Sequence, residues 1–517
     1  MQRYNILWAD DEIDLLKAHI LFLEAKGYDV VPVNSAVEAL EKVDEQRFDI
    51  VFLDENMPGM TGLEALNQIK VKKPSLPCVM ITKSEEEYIM EEAIGGKISD
   101  YLIKPLNPNQ ILMSVKKILD GTRLVSEKTN ASYQREFQQI SMLYNDHIDH
   151  DEWLDVYRKL VFHELEIDET EHKSMKEVLE MQKSEANSNF CKFISDEYET
   201  WINDETDDRP VLSHEVMREK VFPQLESGRP VFFIVIDNLR YDQFKVLEPI
   251  ISDYFTIEEE AAYYSILPTT TAYARNALFS GLTPLDMSKK HPELWKYDDE
   301  EGGKNNHEFD FLKTQLDREG LKIKSSYNKV LDVDKGRQVV ETFNNLMNND
   351  LNCIVYNFVD MLSHARTDMK MIKELAQDES AYRSLTLSWF KHSPFLELLK
   401  KISETNAKVI LTTDHGTIRV KKPHKIVGDR DTNTNLRYKQ GKNLSYDNKN
   451  VLVATKPEHF KLPKRNVSTS FVFTMEDYFF AYPNNYNYYV NHYEDTFQHG
   501  GVSLEEVIVP LITLSTK

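Results

Sequence analysis

Six side chains of metal-binding type stand where apolar runs of the sequence stop. RPVFFIVID ends in Asp237, and Ile354 to Phe358 leads into Asp360, with His364 one helical turn later in DMLSH. Lys408 to Thr412 leads into Asp414 and His415, and His499 precedes the glycine pair of FQHGG. Carboxylate oxygen and imidazole nitrogen are ordinary zinc ligands, so three Asp and three His on one sheet edge suit two transition-metal sites. The stretch Ile266 to Ser280, ILPTTTAYARNALFS, adds Thr269, Thr270 and Thr271. A threonine hydroxyl is a weak nucleophile at neutral pH and attacks an ester only when a base or a metal takes its proton.

A second group of acids lies near the start of the chain. Asp10 and Asp11 close YNILWADDE, and Asp54 closes the apolar run of FDIVFLDENMPGM. Three carboxylates converging on one edge repel one another unless a hard cation such as Mg²⁺ sits among them. A phosphorylatable aspartate needs that arrangement. Thr82 and Lys104 end the next two apolar runs, where they would hydrogen-bond and neutralise a phosphoryl group on Asp54.

The elements that position these residues follow from periodicity. A chain of 517 residues suggests about three domains. Up to residue 120, short apolar strands alternate with amphipathic helices, which predicts a doubly wound parallel sheet with its site at the carboxyl ends of the strands. After Gly121 the pattern is helical: Trp153, Val156, Tyr157 and Leu160 form one stripe, and Met175, Val178 and Leu179 begin another. Residues 121–205 therefore read as a small bundle of three helices, with His147 and His150 in a solvated acidic connector. Residues 206–517 read as an α/β domain whose buried parallel strands carry acids at their carboxyl ends.

Composition narrows the function classes. Hydrophobic residues make up 41% and charged residues 28%, and no apolar run approaches the roughly 20 residues of a membrane helix. No leader pattern precedes the first strand, so the expected compartment is the cytoplasm. Cys78, Cys191 and Cys353 are few and widely spaced, as reduced buried thiols would be. A net charge of −23 argues against broad binding of long DNA, which depends on many Lys and Arg contacts to phosphate. No helix-turn-helix with a basic face follows the first segment. The stretch after His415 reverses the sign, with Arg419, Lys421, Lys422, Lys425, Arg430, Arg437, Lys439 and Lys442. It suggests a basic flap over the metals, and the tyrosine-rich run before His499 suggests base stacking.

The Asp10–Asp11 pair, DENMPG, Thr82 and Lys104–Pro105 together resemble a response-regulator receiver domain. The resemblance implies a CheY-like fold, Asp54 as phosphoacceptor, Mg²⁺ held by Asp10, Asp11 and the Asn56 carbonyl, and Tyr101 as a switch aromatic. The later motifs resemble the alkaline phosphatase superfamily, particularly its nucleotide phosphodiesterase-like and PglZ-type branches. That resemblance assigns one Zn²⁺ to Asp237, Thr271, Asp414 and His415 and a second to Asp360, His364 and His499. It places the nucleophile three residues after the proline, selecting Thr271, and implies a double displacement through a phosphothreonine. No Cys or Ser occupies that position, which disfavours a sulfatase. A phosphodiester is the favoured substrate, with Asn276, Arg240, Arg275 and Arg437 as candidate contacts to it.

Over its whole length the chain resembles the PorX-type response regulators of type IX secretion. This implies a sensor histidine kinase as phosphodonor and a homodimer formed on phosphorylation through the receiver's fourth and fifth helices. It further implies a nucleotide-like phosphoester substrate and a sigma factor or secretion-system component as partner. Two function classes stand side by side: a phosphorylation-controlled zinc phosphodiesterase, and a signalling adaptor whose metal-containing domain binds nucleotide or protein without turnover.

Overall fold

The computed structural model of the protein describes residues 4–83, 98–120, 133, 137, 140–143, 148–168, 173–204, 208–298, 300–429 and 432–517. His147, Arg430 and the span 84–97, where the receiver's fourth helix was expected, lie outside the described residues. The chain forms two compact units, residues 1–134 and 135–517.

The first unit is built on five strands: β1 (Asn5–Ala9), β2 (Asp29–Val33), β3 (Ile50–Asp54), β4 (Cys78–Thr82) and β5 (Asp100–Ile103). They lie in the order β2-β1-β3-β4-β5, every pairing parallel. Period-two alternation divides the apolar side chains between two faces. Leu7, Ala9, Val51 and Leu53 pack with Ala39, Val43, Ala65 and Ile69 of the helices Ala36–Glu45 and Gly62–Lys72. Ile6, Trp8, Ile50 and Phe52 pack with Ile20, Leu23, Ile111 and Val115 of the helices Lys17–Ala25 and Pro108–Val115. Helices on both faces leave the carboxyl edge, with Asp10 and Asp54, as the accessible rim. A Cβ at Gly62 would stand 2.2 Å from the Asp54 carbonyl oxygen, so only glycine allows this helix to begin so close to the end of β3.

The second unit centres on a six-stranded sheet. Its strands include β6 (Val231–Ile236), β7 (Phe255–Tyr264), β8 (Ser325–Val330), β9 (Leu351–Tyr356) and β10 (Lys408–Thr412). With the strand Ile508–Thr516 they run in the order β7, Ile508–Thr516, β10, β6, β9, β8. β10, β6, β9 and β8 are mutually parallel, while Ile508–Thr516 is antiparallel to both β7 and β10. Every residue of β6, β9 and β10 is buried. Such strands read as unbroken apolar runs, and the first polar side chain after each falls at the carboxyl edge.

Two long helices, His150–Asp168 and Lys173–Asn203, belong to this second unit. Their aromatic residues join its core: Trp153 meets Phe190 edge-on at 5.4 Å, Trp201 meets Tyr264 of β7 at 5.6 Å, and Tyr157 lies 5.8 Å from Tyr241. Lys183 and Arg383 both pair with the buried Glu164, each at 2.7 Å. Among the described residues, no helix is long and apolar enough to cross a membrane.

Candidate metal centres

β6, β9 and β10 deliver the acids as their apolar runs end. Asp237 follows β6, Asp414 and His415 follow β10, and Asp360 and His364 share one face of the helix Phe358–Asp368 behind β9. Asn238, next to Asp237, has φ 66°, a left-handed conformation that asparagine tolerates. Its N–H donates to Asp414 Oδ1 at 3.3 Å, so the turn after β6 is tied to the turn after β10. A Cβ at Gly416 would stand 1.9 Å from the Glu505 carbonyl oxygen, so glycine is required where His415 meets the loop that carries His499.

The six residues assemble as two groups, Asp237–Asp414–His415 and Asp360–His364–His499. In the first, His415 Nε2 is 3.8 Å from Asp237 Oδ1 and 3.7 Å from Asp414 Oδ2. In the second, Asp360 Oδ1 is 3.5 Å from His364 Nε2 and 3.6 Å from His499 Nε2. The groups are adjacent, since the His415 and His499 rings stack with centroids 4.3 Å apart. The first group is fully buried, whereas the His364 side chain is 65% exposed and opens the second to solvent.

Thr271 lies against the first group, its Oγ1 3.1 Å from His415 Nε2 and 3.3 Å from Asp237 Oδ1. Of its neighbours, Thr269 is turned to another task, its Oγ1 donating to the Gly501 carbonyl at 2.9 Å and accepting from the Gly500 N–H at 3.0 Å. Thr270 Oγ1 is buried without a hydrogen-bond partner among the described residues. His415 Nδ1 meets the Gly416 carbonyl at 3.1 Å, and as the donor there it leaves Nε2 as a lone pair facing Thr271. Burial holds the His415 pKa down at about 4, against the opposing charge of Asp414.

These residues fit divalent metals. Asp360 Oδ1 and Asp414 Oδ2 are buried without a hydrogen-bond partner. The spacings within each group exceed a hydrogen bond and sit just above the roughly 3.3 Å that separates ligand atoms around a tetrahedral metal. Burial pushes Asp237 well above the usual carboxylate range even beside Arg275, and the charges of Asp414 and Asp360 add to the rise. A cation among the acids would relieve that repulsion.

The candidate substrate contacts are corrected by their surroundings. Arg275 is buried, donating to Asp237 Oδ2 and to Glu308 Oε1, both at 2.5 Å. Arg240 is locked between Asp242 and Glu379, and Arg437 grips Glu506 at 2.6 Å. Asn276 donates to the carbonyls of Ala272 and Lys304. A buried guanidinium requires a carboxylate, and each of the three has found one inside the domain. Each guanidinium is thus committed to an acid of its own domain.

Several cations of the expected basic flap also have partners inside the second unit. Arg419 pairs with Asp495, Lys422 with Asp477 and Lys421 with Glu180, and Lys439 is buried. Tyr486, Tyr489 and Tyr493 pack, partly buried, over Ile418, Val420 and Phe479, while Tyr488 is 65% exposed. Four residues missed in the sequence also hold the site. Asn357 donates to Asp237 Oδ2 at 2.8 Å, Glu308 anchors Arg275, Asn305 donates to the Thr271 carbonyl at 2.8 Å, and Glu506 accepts the Gly501 N–H at 2.9 Å. Asn357 had a legible signal, because it closes β9 as Asp237 closes β6. A cavity of about 150 Å³ lined by Glu164, Lys183, Asn187, Arg383 and Glu505 contains none of the six metal-binding candidates.

In the first unit, Asp10, Asp11 and Asp54 gather at the strand ends, an all-oxygen set suited to a hard cation. Lys104 Nζ bridges two of them, 2.8 Å from Asp10 Oδ2 and 2.7 Å from Asp54 Oδ1. Burial raises the Asp54 pKa; Lys104 pulls it down, and the Asp10 charge pushes it up. Thr82 Oγ1 donates to Glu55, Asn56 is exposed on the loop after β3, and Tyr101 is 38% exposed.

Comparison with known proteins finds three family models along the chain. The family model for the BREX system PglZ alkaline phosphatase-like domain matches residues 216–514, that for the PorX response regulator linker domain 123–202, and that for the response regulator receiver domain 6–116. Similar curated proteins include the transcriptional regulatory protein ZraR of Klebsiella oxytoca, 36% identical over 123 residues, which are 24% of this chain and 28% of that protein. The alkaline phosphatase synthesis transcriptional regulatory protein PhoP of Bacillus subtilis is 33% identical over 124 residues, 24% of this chain and 51% of that protein. The chain thus spans less than a third of the first relative and about half of the second. Solved structures similar to it include a CheY-like receiver domain protein of Methanospirillum hungatei, 28% identical, covering 23% of this chain and 96% of that one, with a TM-score of 0.23. Chemotaxis protein CheY4 of Vibrio cholerae, also 28% identical, covers 23% of this chain and 100% of its own with a TM-score of 0.22. With more than half of its length matched by one family model, the chain belongs to the PglZ alkaline phosphatase-like family, carried behind a response-regulator receiver and a PorX-type linker.

Proposed function

We propose that the chain is a two-component response regulator in which phosphorylation of Asp54 controls a di-zinc phosphodiesterase acting on a nucleotide-like ester. Its working divisions are residues 1–120, 121–205 and 206–517. The observation that carries the reading is Thr271, whose hydroxyl lies 3.1 Å from His415 Nε2 and 3.3 Å from Asp237 Oδ1 beside a second group of ligand type. The receiver family implies a sensor histidine kinase as partner.

Asp237, Asp414, His415 and Thr271 would hold one Zn²⁺, and Asp360, His364 and His499 the other. Bound there, zinc supplies positive charge that lowers the threonine pKa and stabilises the leaving oxygen. Two Zn²⁺ against three carboxylates and one alkoxide sum to about zero, so the buried site strands no charge. The protein's own groups do the rest. Arg275 and Asn357 fix Asp237, the Gly416 carbonyl fixes the His415 ring, and Thr269 fixes the His499 loop. Thr271 Oγ attacks phosphorus and expels the alcohol, forming a phosphothreonine, and water then releases phosphate or a monoester.

In the receiver, Asp10, Asp11 and the Asn56 carbonyl would hold Mg²⁺. Lys104 neutralises the phosphoryl group on Asp54, while Thr82 and Tyr101 respond to it. The linker-model match supports a PorX-type regulator, and on the resemblance to that type the proposed role is in type IX secretion, with a homodimer and a sigma factor or secretion component as further proposed partners. Zinc content and turnover of the full-length protein test the enzyme reading, with p-nitrophenyl phosphate as monoester and bis-p-nitrophenyl phosphate as diester. Two zinc equivalents with preferential diester hydrolysis is the expected result. Full zinc loading with no turnover of either ester would replace it with the adaptor reading.

A further inference from the structure

We propose that Lys329 is a binding subsite for a phosphate oxygen of the substrate, its ammonium held at the Thr271 wall of the site by Asn305. This rests on the phosphoester reading above. Lys329 lies near the carboxyl end of β8, the edge strand beside β9. In register, Val330 pairs with Tyr356 and Tyr356 with Ile236, the residue before Asp237. The lysine therefore shares the sheet edge that carries the metal-binding candidates.

Asn305 links the ammonium to the nucleophile. Its backbone carbonyl accepts from Lys329 Nζ at 3.3 Å, and its side-chain amide donates to the Thr271 carbonyl at 2.8 Å and to Asn276 Oδ1 at 3.2 Å. Among the described residues, the carboxylate paired with Lys329 is Glu308 at 3.5 Å. That carboxylate already accepts from Arg275 and from the Tyr327 hydroxyl. Three N–H donors thus face one carbonyl and one carboxylate at 3.5 Å that is shared with Arg275 and Tyr327, and the side chain remains 27% exposed. Burial lowers the Lys329 pKa, Glu308 opposes that and Arg275 adds to it, so an approaching anion stabilises the charged form.

Arg240, Arg275 and Arg437, closed off by their own acids, offer no such donor. The ligand chemistry is a phosphate oxygen, either a non-bridging oxygen of the attacked phosphoryl group or one from an adjoining phosphate. A single compact ammonium suits either as a point charge.

Calorimetric titration of the zinc-loaded full-length protein at buffered free zinc tests the subsite, with inorganic phosphate and adenosine 5′-diphosphate as probes. Lys329→Gln should weaken binding at least about tenfold, the scale of one charge-assisted hydrogen bond, with zinc content unchanged. Lys329→Arg should recover most of the loss. A loss shared by both anions assigns the attacked phosphoryl group, and a loss confined to the diphosphate assigns the adjoining one. Asn305→Ala keeps the ammonium and the carbonyl that holds it but removes the amide that ties that carbonyl to Thr271, so it should weaken binding less and gives a second route if Lys329→Gln does not fold. Unchanged affinity for both anions in Lys329→Gln and Asn305→Ala overturns the subsite. The enzyme reading is separable: a wild type that binds phosphate through Lys329 but hydrolyses neither ester keeps the subsite and loses the phosphodiesterase.

Discussion

Asn187, in the helix Lys173–Asn203, clasps Glu505 in the short helix Leu504–Val507 that follows His499. Its Nδ2 donates to Glu505 Oε2 at 3.0 Å, while its Oδ1 accepts the neighbouring Leu504 N–H at 2.8 Å. Cys191, one turn later, donates to the Val502 carbonyl at 3.2 Å. A helix of the linker thus holds the backbone that presents a metal-binding candidate, and movement of that helix has a direct path to the site.

The first prediction concerns that clasp. Asn187→Ala should weaken one of two zinc equivalents by about tenfold, the lower end of the effect of removing a residue that orients a ligand. Competition with a chelator reads it. Two equivalents held as tightly as in the wild type would disconnect the linker from His499.

Arg275 neutralises Asp237 and Glu308 in the interior. Arg275→Met should therefore cost about 3–5 kcal/mol of stability in the zinc-free protein by stranding the buried Glu308 carboxylate. Added zinc should restore part of it through Asp237. Denaturant unfolding with and without zinc measures both, and a loss below about 1 kcal/mol would mean that the carboxylate is protonated or solvated.

The buried Lys439 carries a pH signature. Burial lowers its pKa to about 7. The unfolded chain then binds more protons than the folded one between pH 7 and the usual lysine range, so stability rises with pH across that window. Relative to Lys439→Met, the wild type should gain on the order of 2 kcal/mol from pH 7 to pH 9. Parallel curves for the two proteins would place the ammonium in contact with water.

The strand-end acids were legible because β6, β9 and β10 are buried on both faces, so the first polar residue after each apolar run has to stand at the carboxyl edge. The five-strand receiver was legible for the same reason, with helices covering both faces. The arginines misled because charge alone does not say which acid it meets: Arg275 finds Glu308 and Arg240 finds Glu379 only after folding. Lys329 was hidden in SSYNKV, an edge strand without an apolar run. Asn187 was hidden because its partners, Leu504 and Glu505, are brought to it by tertiary packing.

In the receiver, Asp54→Ala should abolish Mg²⁺-dependent labelling by acetyl phosphate. Lys104→Met, which removes the cation bridging Asp10 and Asp54, should leave labelling but lose the response that follows it. Phosphate-affinity electrophoresis reads the first, and diesterase rate with and without acetyl phosphate reads the second. Labelling that persists without Asp54 would move the acceptor elsewhere.

The hydroxyl of Thr271 is tested by diester hydrolysis in the zinc-loaded Thr271→Ala protein against the wild type. A loss of at least about a thousandfold in kcat with both zinc equivalents retained is expected, since removal of a nucleophile leaves only positioning and charge. Equal rates in the two proteins would exclude Thr271 as the nucleophile.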